Sequence, residues 1–183
     1  MISDHVKSPV NPSRRAIARV DNPLPVPTCC PYCQAEVVIK GHAEIYNGQA
    51  YGDWPWVHGC SACDARVGMH PFTNLPLGTL ANEQLRKARE QHKKPFEAIW
   101  REKHLSRKDA YRWLAEQLGI TTAECHFGLF DLARCELAGT VCQSHLVVLR
   151  TKAQAPAPEH LLPDHLAPKD SAGRWRTRGV ARS

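Results

Sequence analysis

The chain has 183 residues, 43% hydrophobic and 23% charged, enough for one buried core, or a core with a small satellite domain, and too few for large multidomain machinery. Twenty-four Lys and Arg against 18 Asp and Glu leave a net charge of +6, a balance that favours polyanionic partners. The longest apolar runs, such as Leu146-Val147-Val148-Leu149, are too short to cross a bilayer, so no membrane partner is expected.

The opening Met1-Ile2-Ser3-Asp4-His5 has no basic segment leading into an apolar one, and a cytoplasmic setting is expected. In that reducing compartment the eight cysteines read as metal ligands or core residues rather than disulfides. Residues 1–27 combine Pro9, Pro12, Pro23, Pro25 and Pro27 with Lys7, Arg14, Arg15 and Arg19 and read as a disordered basic arm. Residues 28–75 read as a zinc-ribbon domain, 76–150 as a helical domain, and 151–183 as a disordered tail rich in Pro and Arg.

Within the ribbon the apolar pattern is short and strand-like. Val37-Val38-Ile39 is followed by a Lys40-Gly41-His42 turn, then Ala43 to Tyr46, Trp54 to Val57, and Arg66 to Met69. From residue 79 the period lengthens to about 3.6 residues, and Ala81, Leu85, Ala88 and His92 line one face of a first helix. Pro95 fits the first turn of a second helix with the stripe Phe96, Ile99 and Trp100. Ser106 and Asp109 resemble a capping box for a third helix, which Gly119 ends, and Trp113 and Leu114 should join Trp100 in its core. Asp131 is a cap for a fourth helix, whose stripe runs through Cys135, Ala138, Cys142 and Leu146. The expected fold is α+β: a four-cysteine zinc ribbon with short β-hairpins, a small four-helix unit and disordered tails.

The most specific motif is Cys30-Pro31-Tyr32-Cys33 paired with Cys60-Ser61-Ala62-Cys63, two tight turns separated by 26 residues. Each turn presents two thiolates, and two such turns supply the tetrahedral sulfur set that Zn²⁺ prefers. The expectation is one structural zinc per chain, held by Cys30, Cys33, Cys60 and Cys63. Cys29 has the wrong spacing and is a bystander. Four protein ligands leave no open position for water, which disfavours catalysis at the metal.

Cys125-His126 and His92 could form a second metal or catalytic site, but no carboxylate stands at a recognisable spacing, and core packing is the preferred reading. Cys135 and Cys142, in the apolar stripe, also read as core. Between Gln84 and Lys108, nine Lys and Arg face three Glu. From this segment Arg86, Arg89, Lys93, Arg101 and Lys103 are candidate phosphate contacts, with Trp54 and Trp56 available for stacking. No phosphate loop, nucleophile elbow, HExxH or dinucleotide-binding glycine motif is present.

The two cysteine pairs, Pro-Leu-Gly-Thr-Leu-Ala at 76–81, Leu-Arg-Lys-Ala-Arg at 85–89 with His92, Ser-Arg-Lys-Asp-Ala-Tyr-Arg-Trp-Leu-Ala at 106–115 and Cys125-His126-Phe127-Gly128 together resemble a zinc-finger-containing domain family of small phage and prophage proteins. Gln34 and Phe127 stand where that family has Gly and Ile, and neither departure removes a ligand. The resemblance covers about residues 28–145 and implies zinc, a mobile-element origin and a place in the host bacterial cytoplasm. Three functions follow as expectations. The first is an accessory protein that binds DNA or RNA. The second is a protein that binds and blocks a host defence or regulatory protein. The third is a cryptic enzyme using His70, His92 and His126 with Arg86 and Arg89.

Overall fold

The computed structural model describes residues 8–154. Residues 1–7 of the first expected disordered segment and 155–183 of the second lie outside the described residues. From residue 8 onward the N-terminal segment is tied down. The Ser13 hydroxyl accepts from the Ala16 amide and caps helix α1 (Arg14–Ile17), Ala16 is buried, and the Ser13 amide donates to the Phe72 carbonyl at 2.9 Å. This differs from the disordered arm expected there, because Ser13 supplies a local cap that a composition argument does not see.

Strands β1 (Val37–Gly41), β2 (Trp56–Cys60) and β3 (Arg66–Gly68) form one antiparallel sheet in that order, with Ile39 opposite His58 and His58 opposite Val67. The segment expected as a strand at Ala43–Tyr46 is instead a helical turn, α2 (His42–Ile45). The Gly41 amide donates to Glu44 Oε1 at 2.7 Å and the Tyr46 amide to the His42 carbonyl at 2.8 Å, so local bonds take up the donors that a strand would have offered a neighbour. Trp54 lies outside β2 and is buried, its indole N–H donating to the Thr73 carbonyl at 2.9 Å, so it is withdrawn from the stacking role expected of it.

Helix α3 (Glu83–Arg101) starts at Asn82, whose side chain accepts from the Leu85 amide, and runs unbroken through Pro95. It replaces the two helices expected over this stretch. Proline removes one internal hydrogen bond, but Phe96 and Ile99 just beyond it are fully buried and extend the stripe begun by Leu85, and their burial outweighs that loss. Helix α4 (Arg107–Leu118) begins at the Ser106 cap, whose hydroxyl accepts from the Asp109 amide, and ends at Gly119 with φ 64°. Helix α5 (Leu132–Gln154) begins where Asp131 Oδ1 accepts from the Arg134 amide at 2.8 Å, and it extends past the boundary expected at residue 150. The helical part thus has three long helices rather than four. Among the described residues no helix is long and apolar enough to cross a membrane.

The helical core contains an aromatic group: Phe96, Phe127 and Phe130 are buried with ring centroids 5.8 and 5.1 Å apart, and Ile99, Leu114, Cys135 and Cys142 are fully buried as well. Cys135 and Cys142 are core residues, as their place in the stripe implies. Leu114 is fully buried, but Trp100 and Trp113 are only half-buried. Trp113 stacks on His145 at 4.2 Å, while Trp100 is flanked by guanidinium groups described below. Large rings at the rim of a small helical unit cannot be enclosed on every side.

The chain divides after Leu146, so that the ribbon, α3, α4 and α5 as far as Leu146 fall within Met1–Leu146. Two close approaches hold that unit together. A Cβ on Gly78 would sit 2.2 Å from the Gly128 carbonyl oxygen, and one on Gly139 would sit 2.3 Å from His92 Nδ1 and 2.9 Å from His92 Cβ. His92 is therefore a packing residue between α3 and α5. Gly139→Ala is expected to cost about 1–3 kcal/mol by overpacking this contact, whereas Thr140→Ala on the exposed face stays within about 0.5 kcal/mol, as urea denaturation will measure.

Candidate metal centre

The two cysteine turns are built alike. In the first, the Cys30 amide donates to the Ala35 carbonyl and the Gln34 amide to the Cys30 carbonyl, both at 2.9 Å. In the second, the Cys60 amide donates to the Ala65 carbonyl at 2.8 Å, and the amides of Ala62 and Cys63 donate to Cys60 Sγ at 3.4 Å. Gln34 has φ 62°, the left-handed conformation that glycine adopts most readily. The sheet brings the turns together: Cys60 ends β2 opposite Val37 of β1, and the Ser61 amide donates to the Glu36 carbonyl at 2.9 Å.

As a result the four Sγ atoms of Cys30, Cys33, Cys60 and Cys63 lie within 4.8 Å of one another, with Cys30–Cys63 at 3.6 Å and Cys33–Cys60 at 3.4 Å. A tetrahedral zinc–thiolate centre, with Zn–S of about 2.3 Å, needs sulfur–sulfur edges of about 3.8 Å. The donor set also carries the charge logic of a metal site. Burial pushes the Cys60 thiol up, but the amides of Ala62 and Cys63 and the thiols of Cys33 and Cys63 draw it down to about 6. The Ala65 amide lowers Cys63, yet burial and the three neighbouring sulfurs push it up to about 12. One thiolate forms readily and resists a second beside it, so the set can ionise together only around a dication. Residues 26–145 match the family described as a zinc-finger-containing domain.

The chain belongs to that family. No curated protein and no solved structure matches it. In this zinc-finger-containing domain the four thiols fit one structural zinc ion. The apolar cluster beside the site is small, comprising Ala65, Val67 and Leu80 around the buried Cys30 and Cys60, with Ala35 and Val37 packed against them. So few side chains cannot hold a ribbon by burial alone, which assigns the metal a share of the folding free energy. Cys29 is exposed and turns its thiol to Gln34, outside the cluster.

The second cysteine turn also sets the position of α3. Asp64, the residue after Cys63, accepts from the Glu83 amide at 2.6 Å and from Arg86 at 3.0 Å. Arg86 also donates to the carbonyls of Asp64 and Ala81, at 2.8 and 2.6 Å. One turn later Arg89 donates to the Phe130 and Thr79 carbonyls, each at 3.0 Å, and to the Thr79 hydroxyl at 2.6 Å. These two candidate phosphate contacts are therefore internal fasteners. Nothing local to either arginine identifies its acceptors, and Asp64 in particular carries no motif of its own.

The remaining candidates lie further along. Lys93 and Arg101 share Glu97, at 3.0 and 2.9 Å, and Lys103 is exposed just beyond the helix. His126 is exposed and caps the 3-10 turn Phe127–Leu129, its Nδ1 accepting from the Gly128 amide at 3.1 Å. Neighbouring atoms that displace water from the ring, then Lys93, Arg107, His70 and Arg89, hold its pKa below the usual histidine range. His70 thus acts on His126, whereas His92 packs on Gly139. The adjacent Cys125 thiol is buried and pushed up to about 11, so it lacks the thiolate that a nucleophile needs. Metal analysis of purified protein is expected to return one zinc per chain. Cys60→Ser should abolish that stoichiometry and Cys29→Ser should preserve it.

Proposed function

We propose that this zinc-finger-containing domain binds nucleic acid through the face formed by the second half of α3, the start of α4 and the 3-10 turn. On α3 the residues Arg86, Arg89, Lys93, Glu97 and Arg101 follow at three- and four-residue steps, so they share one side of the helix. Its first two turns are fastened to the ribbon and to Phe130, and its last two are open.

The observation that carries this reading is the alternation of cations and rings on the open part. The guanidinium groups of Arg101 and Arg107 lie 5.4 and 5.6 Å from the Trp100 ring centroid, and Arg107 lies 5.8 Å from that of Tyr111. Tyr111 in turn stacks on the exposed His126. Glu97, the one carboxylate in the row, is shared by two cations and stays below its usual range through the Lys93 hydrogen bond first, and then through the charges of Lys93, Arg101 and Arg107. Positive charge is left over, and cations interleaved with aromatic rings are the chemistry that phosphates and bases recognise. The family resemblance to phage and prophage proteins supports a polynucleotide of the host cell as the target, and the Arg-rich segment at 174–182 adds charge.

Binding should fall steeply with salt. Titration of labelled oligonucleotides over a salt series is expected to give a log–log slope that Arg107→Ala flattens by roughly one unit on a duplex. Arg86→Ala should leave that slope alone and lower the melting temperature instead, since Arg86 is engaged with Asp64 and Ala81. A titration at low salt with no binding to DNA or RNA would overturn this reading and favour a host protein as the partner.

A further inference from the structure

We propose that the open face prefers single-stranded to double-stranded nucleic acid, with a base laid against the Tyr111–His126 ring pair and the flanking phosphates at Arg107 and Lys93. The inference rests on the nucleic-acid reading above and adds the form of the ligand.

A duplex presents phosphates outward and hides the faces of its bases, so it can use the cations of this surface but not its rings. A single strand can use both. The rings here are placed for such use. The planes of Tyr111 and His126 are parallel to within 2° with centroids 6.4 Å apart, and His126 is exposed. Neither ring is free to turn away. Tyr111 packs on the fully buried Phe96 at 4.7 Å between centroids, while the Gly128 amide pins His126 Nδ1. Gly128 is itself pressed against the chain at Leu77 and Gly78, a Cβ on it falling 2.8 Å from the Leu77 carbonyl oxygen. Rings already held in place lose little conformational freedom when a base stacks on them.

The charges fit the same arrangement. Arg107 spans from the Trp100 ring to the Tyr111 ring and so lies beside the proposed base position. Lys93 stands one turn before Phe96 and Glu97, on the side that acts on His126. With its pKa held down, His126 is neutral at pH 7 and meets a base as a ring rather than as a fixed charge. In that state Nδ1 accepts from Gly128, which leaves the proton on Nε2 as a donor.

The test compares a fluorescein-labelled dT12 strand with a 12-bp duplex by anisotropy, using the full chain loaded with zinc. The single strand is expected to bind more tightly at every salt concentration. His126→Asn keeps a side-chain acceptor for the Gly128 amide and removes the ring. It should weaken the single strand roughly tenfold, with a much smaller effect on the duplex and little change in the single-strand salt slope. Tyr111→Leu, which retains an apolar contact with Phe96, should act in the same direction, and thermal melts will establish that both variants are folded. Equal affinity for the two forms, or equal losses on both in the ring variants, would overturn the single-strand preference and leave phosphate binding standing. Failure of the unmodified protein to bind either form would overturn the nucleic-acid reading and this inference together.

Discussion

Four sulfur atoms within 4.8 Å of one another place the dominant constraint on the molecule. As free thiols they are a poor core, small and polarisable, with Cys33 exposed. As thiolates without a cation they repel. With a dication between them they close the ribbon, and the few apolar side chains beside them need only fill the remaining space. The backbone prepares this outcome. Each turn folds its own cysteine pair through a bond to a carbonyl five residues on, and the β1–β2 register with the Ser61–Glu36 bond brings the two pairs together.

From the second turn the constraint passes outward. Asp64 holds the first turn of α3 by its amide and by Arg86, and Arg89 then ties the same helix to Thr79 and to the carbonyl of Phe130 at the head of α5. The chain between ribbon and helices is fixed against the 3-10 turn by the Gly78–Gly128 approach and by the Thr79 amide bond to the Gly128 carbonyl at 2.9 Å. The second cysteine turn thus holds the start of α3 through Asp64. Exposed ion pairs alone would do this weakly, each contributing about 0–1 kcal/mol. Here the guanidinium groups also satisfy backbone carbonyls, and that directional bonding does the fastening.

One side of α3 is consequently divided. Its first cations are consumed by the fold and its later ones remain beside Trp100, Tyr111 and His126. The division explains why total charge is a poor guide to which cations stay open in this protein: Arg86 and Arg89 of the most basic helix are engaged within the fold. It also explains the half-burial of Trp100, whose indole N–H is the one buried side-chain polar atom without a partner among the described residues. That ring lies between two arginines on the face proposed to meet a ligand.

What the sequence by itself determined is what closes within a turn or along one helix. The spacing of two cysteine pairs identifies all four ligands, and Ser106, Gly119 and Asp131 announce helix ends because caps act over three or four residues. The stripe through Cys135, Ala138 and Cys142 reads correctly as core, since helical periodicity and burial coincide there. Tertiary structure decided the rest. Pro95 signals a break locally, and only the burial of Phe96 and Ile99 carries the helix through it. Ala43–Tyr46 has strand-forming residues, but no neighbouring strand claims their donors. Arg86 and Arg89 find acceptors 22 and 41 residues away, and Tyr111 meets His126 across a loop. Such partners depend on how separate elements pack, and composition and periodicity carry no information about that.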